Sequence, residues 1–399
     1  MLSLISMETL EKLSQSTRST SFDVEDSPRL LHDTKGAKEQ LYSIDGFLIP
    51  VTQASLPGGG TIPLLKVMLN TSCERNCRYC AFRAGSNARR FSFTPDELAA
   101  TFMRFHQLGI AKGLFLSTGI FNGGMRSENL LLETVEILRW KKQFRGYIHL
   151  KIMPGAEKEQ VHQAMLLADR VSINLEAPSA ERLQVIAPRK QFHQELFQPI
   201  QWMEEIRQTQ TPEKAWNRRW PSSTTQFVVG PAGESDVELL QLSDLLFHQY
   251  RFSRTYFLAF KPVMGTPLES HPAENPIRQM RLYQAAYLLR DYGYQFEELP
   301  FLENGHLPLE GDPKRIAAQL EFGEQPISIN TAPRSQLLRI PGIGPRSVER
   351  ILKERRDARI GDLSNLRKMG VAIQRAAPFI HFEGTRPSYQ LPFPDFPGK

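Results

Sequence analysis

From residue 61 onward, short apolar runs alternate with longer stretches in which apolar positions recur every three or four residues. The runs at 61–69, 113–117, 147–153, 170–176, 224–230 and 255–261 have strand length. The stretches at 95–108, 127–144, 157–168, 195–207, 235–250 and 276–292 have a helical period. Thr94-Pro95-Asp96-Glu97 supplies the first of these helices with an N-cap, a proline in its first turn and a glutamate to close a capping box. Six strand-then-helix units predict an α/β fold around a parallel sheet, open or curled into a partial barrel. Two strands carry a polar face. His149, Lys151 and Met153 alternate with Leu150 and Ile152, and Ser172, Asn174 and Glu176 alternate with Ile173 and Leu175. Such a face suits a wet interior better than a packed one, and it places the expected site at the loops after the C-terminal strand ends.

Outside that pattern the chain is less regular. Residues 1–55 have weak periodicity and mixed charge and read as a helical or partly disordered lead. Its most helical run opens at Met7, so the first six residues read as a start-site extension. A Pro-Gly-rich turn at 56–60 leads into the first strand. The fourth unit is long between Ile186 and Ser223 and holds Trp202, Trp216 and Trp220, with Arg218 and Arg219 between the last two. This span reads as a surface insertion or amphipathic helix, or else as a lid or nucleic-acid-facing loop, because aromatics and arginines together stack on bases.

Charge changes the picture near Gln325. Between residues 326 and 380, eleven Lys or Arg face four acids, a net +7, so the rest of the 399-residue chain, whose total is +6, sums to −1. The expected organisation is a lead at 1–55, a barrel at 56–324, a small basic domain at 325–383 and a Pro- and Phe-rich disordered tail at 384–399. A hydrophobic share of 41% is ample for a core. No run approaches the roughly 18 apolar residues of a membrane span, and the N-terminus lacks the order of a secretory signal. The sequence therefore predicts a cytoplasmic protein with no membrane partner.

Cys73, Cys77 and Cys80 are the only cysteines, and they fall within eight residues directly after the first strand. An odd, clustered set is a poor disulfide framework and points to a shared metal group. Zinc would need a fourth ligand, and the next candidate is His106 on a predicted helix. An iron–sulfur cube held by three cysteines keeps one iron open for a small molecule.

The C-x3-C-x2-C spacing, with Tyr79 just before the third cysteine, resembles the signature of the radical S-adenosylmethionine (SAM) superfamily. The resemblance implies a partial (β/α)6 TIM-like barrel, a [4Fe-4S] cluster on the three cysteines, and SAM chelated by the open iron. It also implies an external electron donor, and cleavage of SAM to a 5′-deoxyadenosyl radical. Carried over by position, it gives Ser117-Thr118-Gly119 to the methionine amino group, in place of the family's Gly-Gly-Glu run. Asn174-Leu175-Glu176 looks like the ribose-contacting Asn-Leu-Asp, and Gly230 looks like part of the adenine-side glycine motif. Tyr79 joins the cofactor set. Lys151 is a candidate for the SAM carboxylate or for substrate, or an interior ion pair with Glu176. No further thiols remain for a second cluster.

In the basic segment, a short helix stops at Pro341, Gly342 and Gly344 allow positive φ in a tight hairpin, and Pro345 starts a second helix. Amides at such a hairpin can hold a phosphate oxygen. Arg346, Arg350 and Lys353 follow at i, i+4 and i+7 as one basic stripe. The run Leu-x-x-Ile-Pro-Gly-Ile-Gly resembles the helix-hairpin-helix module of DNA repair and recombination proteins. That resemblance implies a small all-α domain in which Gly342, Ile343, Gly344, Arg346, Ser347, Arg350 and Lys353 contact DNA. A second hairpin is expected near Met369-Gly370-Val371. The alternative is a basic packing or protein-interaction module.

Joined, the modules resemble a bacterial family of DNA modification or repair radical SAM proteins. The function expected from this is radical attack on a DNA nucleotide, with nucleoid association. An RNA-modifying enzyme and a non-catalytic iron–sulfur DNA-binding sensor are the alternatives. No catalytic residue is singled out.

Overall fold

The computed structural model describes residues 5–19, 39–55 and 60–388. It divides into two compact units. One holds the described residues to Glu234 together with Leu245–Gln279, and the other holds Ser235–Asp244 and the described residues from Met280 onward.

The first unit is built on an eight-stranded sheet whose strands lie in sequence order. They are β1 (Glu39–Ile44), β2 (Phe47–Ser55), β3 (Thr61–Met68), β4 (Gly113–Ser117), β5 (Tyr147–Lys151), β6 (Arg170–Ser172), β7 (Ser222–Val229) and β8 (Phe252–Ala259). From β3 to β8 every pairing is parallel. These six strands are the six the hydrophobic pattern predicts. The reading of residues 1–55 as a lead needs correction, because β1 and β2 extend the sheet as an antiparallel hairpin. The signal was there: Asp45 and Gly46 both take positive φ, the backbone that an Asp-Gly hairpin turn requires.

Helix α1 (Met7–Ser19) packs on β2 and β3. Leu10 and Leu13 are fully buried, and Ser16 Oγ donates to Met68 O at 3.0 Å while accepting from Met68 N at 2.7 Å. The other helices of this layer are α2 (Pro95–Gln107), α3 (Gly124–Glu136), α4 (Lys158–Leu167), α5 (Ala180–Ile186) and α6 (Gln198–Thr209). Of these, α2 lies beside α3, α3 beside α4 and α4 beside α6. The capping box at Thr94 and Glu97 forms as its sequence dictates.

The long fourth unit is packing rather than a lid at its centre. Trp216 stacks 3.7 Å from the guanidinium of Arg139, which is fully buried and donates to the carbonyls of Leu167, Phe144 and Gly146 and to Asp169. Trp220 lies 6.3 Å from His162.

Helices α7 (Asp236–His248) and α8 (Pro276–Asp291) run through the division between units. The second unit adds α9 (Pro313–Phe322), α10 (Arg334–Arg339), α11 (Pro345–Asp357), α12 (Leu363–Lys368) and α13 (Ile373–Ala376). It also has a two-residue parallel pairing of β9 (Ile327–Ser328) with β10 (Ile380–His381), so this region is not wholly helical. Ala318 and Phe322 of α9 share one core with Leu337, Ile343, Val348 and Ile351. Residues 280–324, counted with the barrel from sequence, thus belong to this compact unit, which begins before Gln325. Residues 1–4 of the expected start-site extension at 1–6, the middle of the lead, the turn at 56–59 and the tail from 389 lie outside the described residues.

Candidate active site

The ends of six parallel strands open into one cavity of about 410 Å³, a volume in the range of small-molecule sites. Met68, Ser117, Lys151, Asn174, Gln226 and Leu258 reach it from or just beyond β3, β4, β5, β6, β7 and β8. The polar faces read from sequence do face this interior. One layer deeper, His149 Nε2 and Ser172 Oγ lie 2.8 Å apart, and Phe115 meets the His149 ring edge-on.

All three cysteines line the cavity. Their loop, between β3 and α2, is anchored at both ends: Leu69 N donates to Ser117 O, and Phe93 N to Leu69 O. Arg90 closes it from below by donating to the carbonyls of Thr71, Phe82 and Arg83. Burial pushes the Cys77 thiol up and the Cys80 thiol up to about 12, so neither is a thiolate at neutral pH without a metal. The Phe82 amide donates to Cys80 Sγ at 3.4 Å, the kind of contact that stabilises a ligating sulfur. His106 does not complete a zinc site. Its Nδ1 lies 3.1 Å from Ala111 O, and its ring stacks on Phe102 and meets Phe144. Three thiols on one cavity wall, with His106 committed to the core, fit an iron–sulfur cube with one open iron.

Around them stand the other residues expected at the cofactor. Tyr79, Ser117, Thr118, Gly119, Lys151, Asn174 and Glu176 all line the cavity, whereas Gly230 is absent from its wall. Gly230 instead takes φ +109° against Glu274, whose carboxylate a Cβ would meet at 2.5 Å. At Gly119 a Cβ would stand 2.3 Å from Ser72 O, so glycine is required for β4 to pass this close to the cysteine loop.

Glu176 has a partner that the sequence did not suggest. Its Oε1 is 2.8 Å from Lys190 Nζ. The Tyr79 hydroxyl bonds to the same carboxylate, and burial drives that phenol well above its ordinary range. Glu176 sits at φ +66°, a strained backbone for a non-glycine residue and one that clusters at functional sites. Burial opposes the charge on Lys190, yet Cys77 and Glu176 outweigh it and raise its pKa. Sequence reasoning missed Lys190 and Arg90. Neither lies in a recognisable spacing, and both reach the site from outside the strands.

In the second unit, α10 turns at Pro341–Gly344 into α11. Only Gly342 has a positive φ, +82°, and a Cβ there would lie 2.5 Å from Ala372 O. Gly344 caps α11 at φ −105°, so the expectation of two left-handed glycines is corrected to one. Arg346, Arg350 and Lys353 are exposed. Ile343 is buried in the core, and buried Ser347 donates to Gly370 O at 3.0 Å, which commits that hydroxyl to the second turn. That turn, between α12 and α13, has Gly370 at φ +83°, and Ala372 N donates to Gly342 O.

Residues 67–246 match the family model described as the radical SAM superfamily. No curated protein matches the sequence. Among solved structures, methylornithine synthase is 16% identical with a TM-score of 0.44, covering 57% of this chain and 61% of that one. The FeFe-hydrogenase maturase HydG from Carboxydothermus hydrogenoformans is 14% identical with a TM-score of 0.44, covering 57% and 51%. A radical SAM methyltransferase from Sphaerobacter thermophilus is 13% identical with a TM-score of 0.43, covering 63% and 73%. The chain thus spans between about half and three fifths of the first two. No described helix is long and apolar enough to cross a membrane. Residues 67–246, the part of the chain that matches the radical SAM superfamily, carry the three thiols at the open end of a parallel sheet.

Proposed function

We propose that the chain is a radical SAM enzyme, with a [4Fe-4S] cluster and S-adenosylmethionine as cofactors, that acts on a nucleotide of nucleic acid, DNA before RNA, in modification or repair, and works at the nucleoid. When bound, the cluster and SAM supply a one-electron cleavage that ends in hydrogen-atom abstraction from the substrate, with the electron coming from an external donor. The protein's part is to hold, orient and keep dry. Cys73, Cys77 and Cys80 are the cluster ligands. Ser117, Thr118 and the backbone at Gly119 suit the methionine end of SAM, with Lys151 near its carboxylate. Tyr79, Asn174 and Glu176 stand on the nucleoside side. Gly230 shapes the loop beyond β7 without facing the cavity. Val228, Leu258 and Phe260 give the cavity an apolar wall that excludes water from a reactive species.

The observation that carries the nucleic-acid reading is the turn at Pro341–Gly344. It leads into a helix whose exposed face bears Arg346, Arg350 and Lys353. This is the build of a helix-hairpin-helix module, which grips phosphates through backbone amides without reading bases. The second turn at Met369–Val371 packs against the first through Gly342 and Ala372. A base in duplex DNA would have to leave the stack to be attacked, at a cost of about a few kcal/mol, less if damaged or unpaired.

The test is anaerobic reconstitution followed by incubation with deuterated SAM and duplex DNA, single-stranded DNA or transfer RNA, with mass spectrometry of the nucleosides. DNA-stimulated 5′-deoxyadenosine together with a mass-shifted deoxynucleoside is the expected result. A shift confined to transfer RNA moves the substrate to RNA. Absence of binding to all three removes the nucleic-acid reading and leaves the radical chemistry standing.

A further inference from the structure

The segment after α5 is sewn to the cysteine loop. Arg78 N donates to Ile186 O at 2.7 Å, and Arg189 N to Asn76 Oδ1 at 3.1 Å. The Arg189 guanidinium donates to Glu74 O at 3.1 Å. Arg75 returns the contact by donating to Arg189 O at 2.7 Å and pairing with Glu195. Asn76 and Arg78 flank Cys77, so both neighbours of the central cysteine are tied to this segment. What the stitching delivers is Lys190. Lys190 is 7% exposed and stands in the wall of the same cavity as the three thiols, and its Nζ lies 2.8 Å from Glu176 Oε1. A buried ion pair is poor evidence of stabilisation, since desolvation consumes most of what the attraction returns. A pair retained beside a redox group has a more specific use.

We propose that Lys190 and Glu176 set the reduction potential of the cluster, the ammonium favouring the added electron and the carboxylate opposing it. Reduction adds one electron from a one-electron donor to the cube and its three thiolates, and nothing else changes. In a low-dielectric wall a fixed positive charge therefore stabilises the reduced form, and a fixed negative charge stabilises the oxidised one. The inference rests on the cluster proposed above for Cys73, Cys77 and Cys80 and is independent of the substrate reading.

The experiment is a redox titration of full-length, anaerobically reconstituted protein without SAM. Reduced cluster is followed by electron paramagnetic resonance, with dithionite as reductant and with iron and sulfide content measured in parallel. At the potential where the wild-type cluster is half reduced, Lys190→Met is expected to be well under half reduced and Glu176→Gln well over half. Lys190→Arg is expected to stay near wild type. A merely structural clamp would change cluster content or stability but not move the midpoint in opposite directions. If both variants keep the wild-type midpoint, or shift it the same way, the proposal is overturned. If Lys190→Met holds no cluster, Glu176→Gln decides alone: a midpoint that fails to rise overturns it.

Discussion

The guanidinium of Arg90 donates to the carbonyl oxygen of Thr71 at 2.7 Å, across the neck of the loop that carries all three cysteines. The same group reaches Phe82 O, Arg83 O and Ser86 Oγ, each within 2.9 Å. One planar fork thus spans the loop from before Cys73 to after Cys80, an arrangement a lysine could not copy. Arg90→Ala is expected to loosen the loop by about 2–4 kcal/mol, from several charge-assisted bonds lost together. Iron and sulfide content after reconstitution should fall sharply. Arg90→Lys should fall in between, and wild-type content in Arg90→Ala would show that the loop is held by other means.

The two glycines of the α10–α11 turn differ in what they tolerate. Gly342 is left-handed, and its missing Cβ would strike Ala372 O. Gly344 has ordinary backbone, and a Cβ there would meet the Tyr292 hydroxyl at 3.6 Å, a normal contact. Gly342→Ala should therefore destabilise the C-terminal unit by about 1–3 kcal/mol, while Gly344→Ala stays within about 0.5 kcal/mol. Urea unfolding of the two variants side by side checks this. Phosphate gripping by the turn should likewise be lost first in Gly342→Ala.

Arg139 marks a different kind of dependence. Burial lowers its pKa to about 10, with Asp169 pulling the other way, so the group remains charged at neutral pH. Removing it strands the carbonyls of Leu167, Phe144 and Gly146 and leaves Asp169 without its cation. Arg139→Met should cost more than about 4 kcal/mol, the range reserved for broken buried networks. Trp216→Phe, which keeps a ring over the guanidinium, should cost about 1 kcal/mol or less. Soluble yield and denaturant midpoints report both.

How much of this was legible in the sequence follows from how local each signal is. The six parallel strands announced themselves because each is a short apolar run followed by a helix-period stretch, and Thr94–Glu97 specified its own cap. The cysteines and the inward faces of β5 and β6 were legible for the same reason, since spacing and alternation are properties of neighbouring residues. The β1–β2 hairpin was missed although Asp45-Gly46 signalled it, because the flanking strands are mixed in polarity; Leu41 and Leu48 are exposed. Lys190 could not have been found this way. Its importance comes from a contact with Glu176, 14 residues away, and from stitching between Ile186–Arg189 and Glu74–Arg78 that only the folded chain creates. The same holds for Ser347, which looked like a phosphate ligand by position and is instead turned toward Gly370.

Lys314 gives the C-terminal unit a pH dependence with a definite sign. Its ammonium donates to Ile343 O at 2.7 Å, within the α10–α11 turn, and sits 4.3 Å from the centre of the Tyr292 ring. Burial lowers its pKa from 10.5 to about 7; Asp312 works against that shift and Arg375 adds to it. Between about pH 7 and 10.5 the unfolded chain therefore carries a proton that the folded chain has released. Stability should rise with pH across that window, by at most about 1.4 kcal/mol per pH unit. It should be lost again as pH falls through 7 and the buried nitrogen must be charged. Asp312 and Arg375 pair with each other at 3.2 Å. Lys314→Met removes the titration but leaves Ile343 O without its donor, a pH-independent cost of about 1–3 kcal/mol. Urea unfolding of both proteins at about pH 6.5, 8 and 9.5 separates the two effects. The wild-type advantage over Lys314→Met should grow with pH. A difference that stays constant would mean that Lys314 keeps its proton in the folded state, held as a permanent cation against the Ile343 carbonyl.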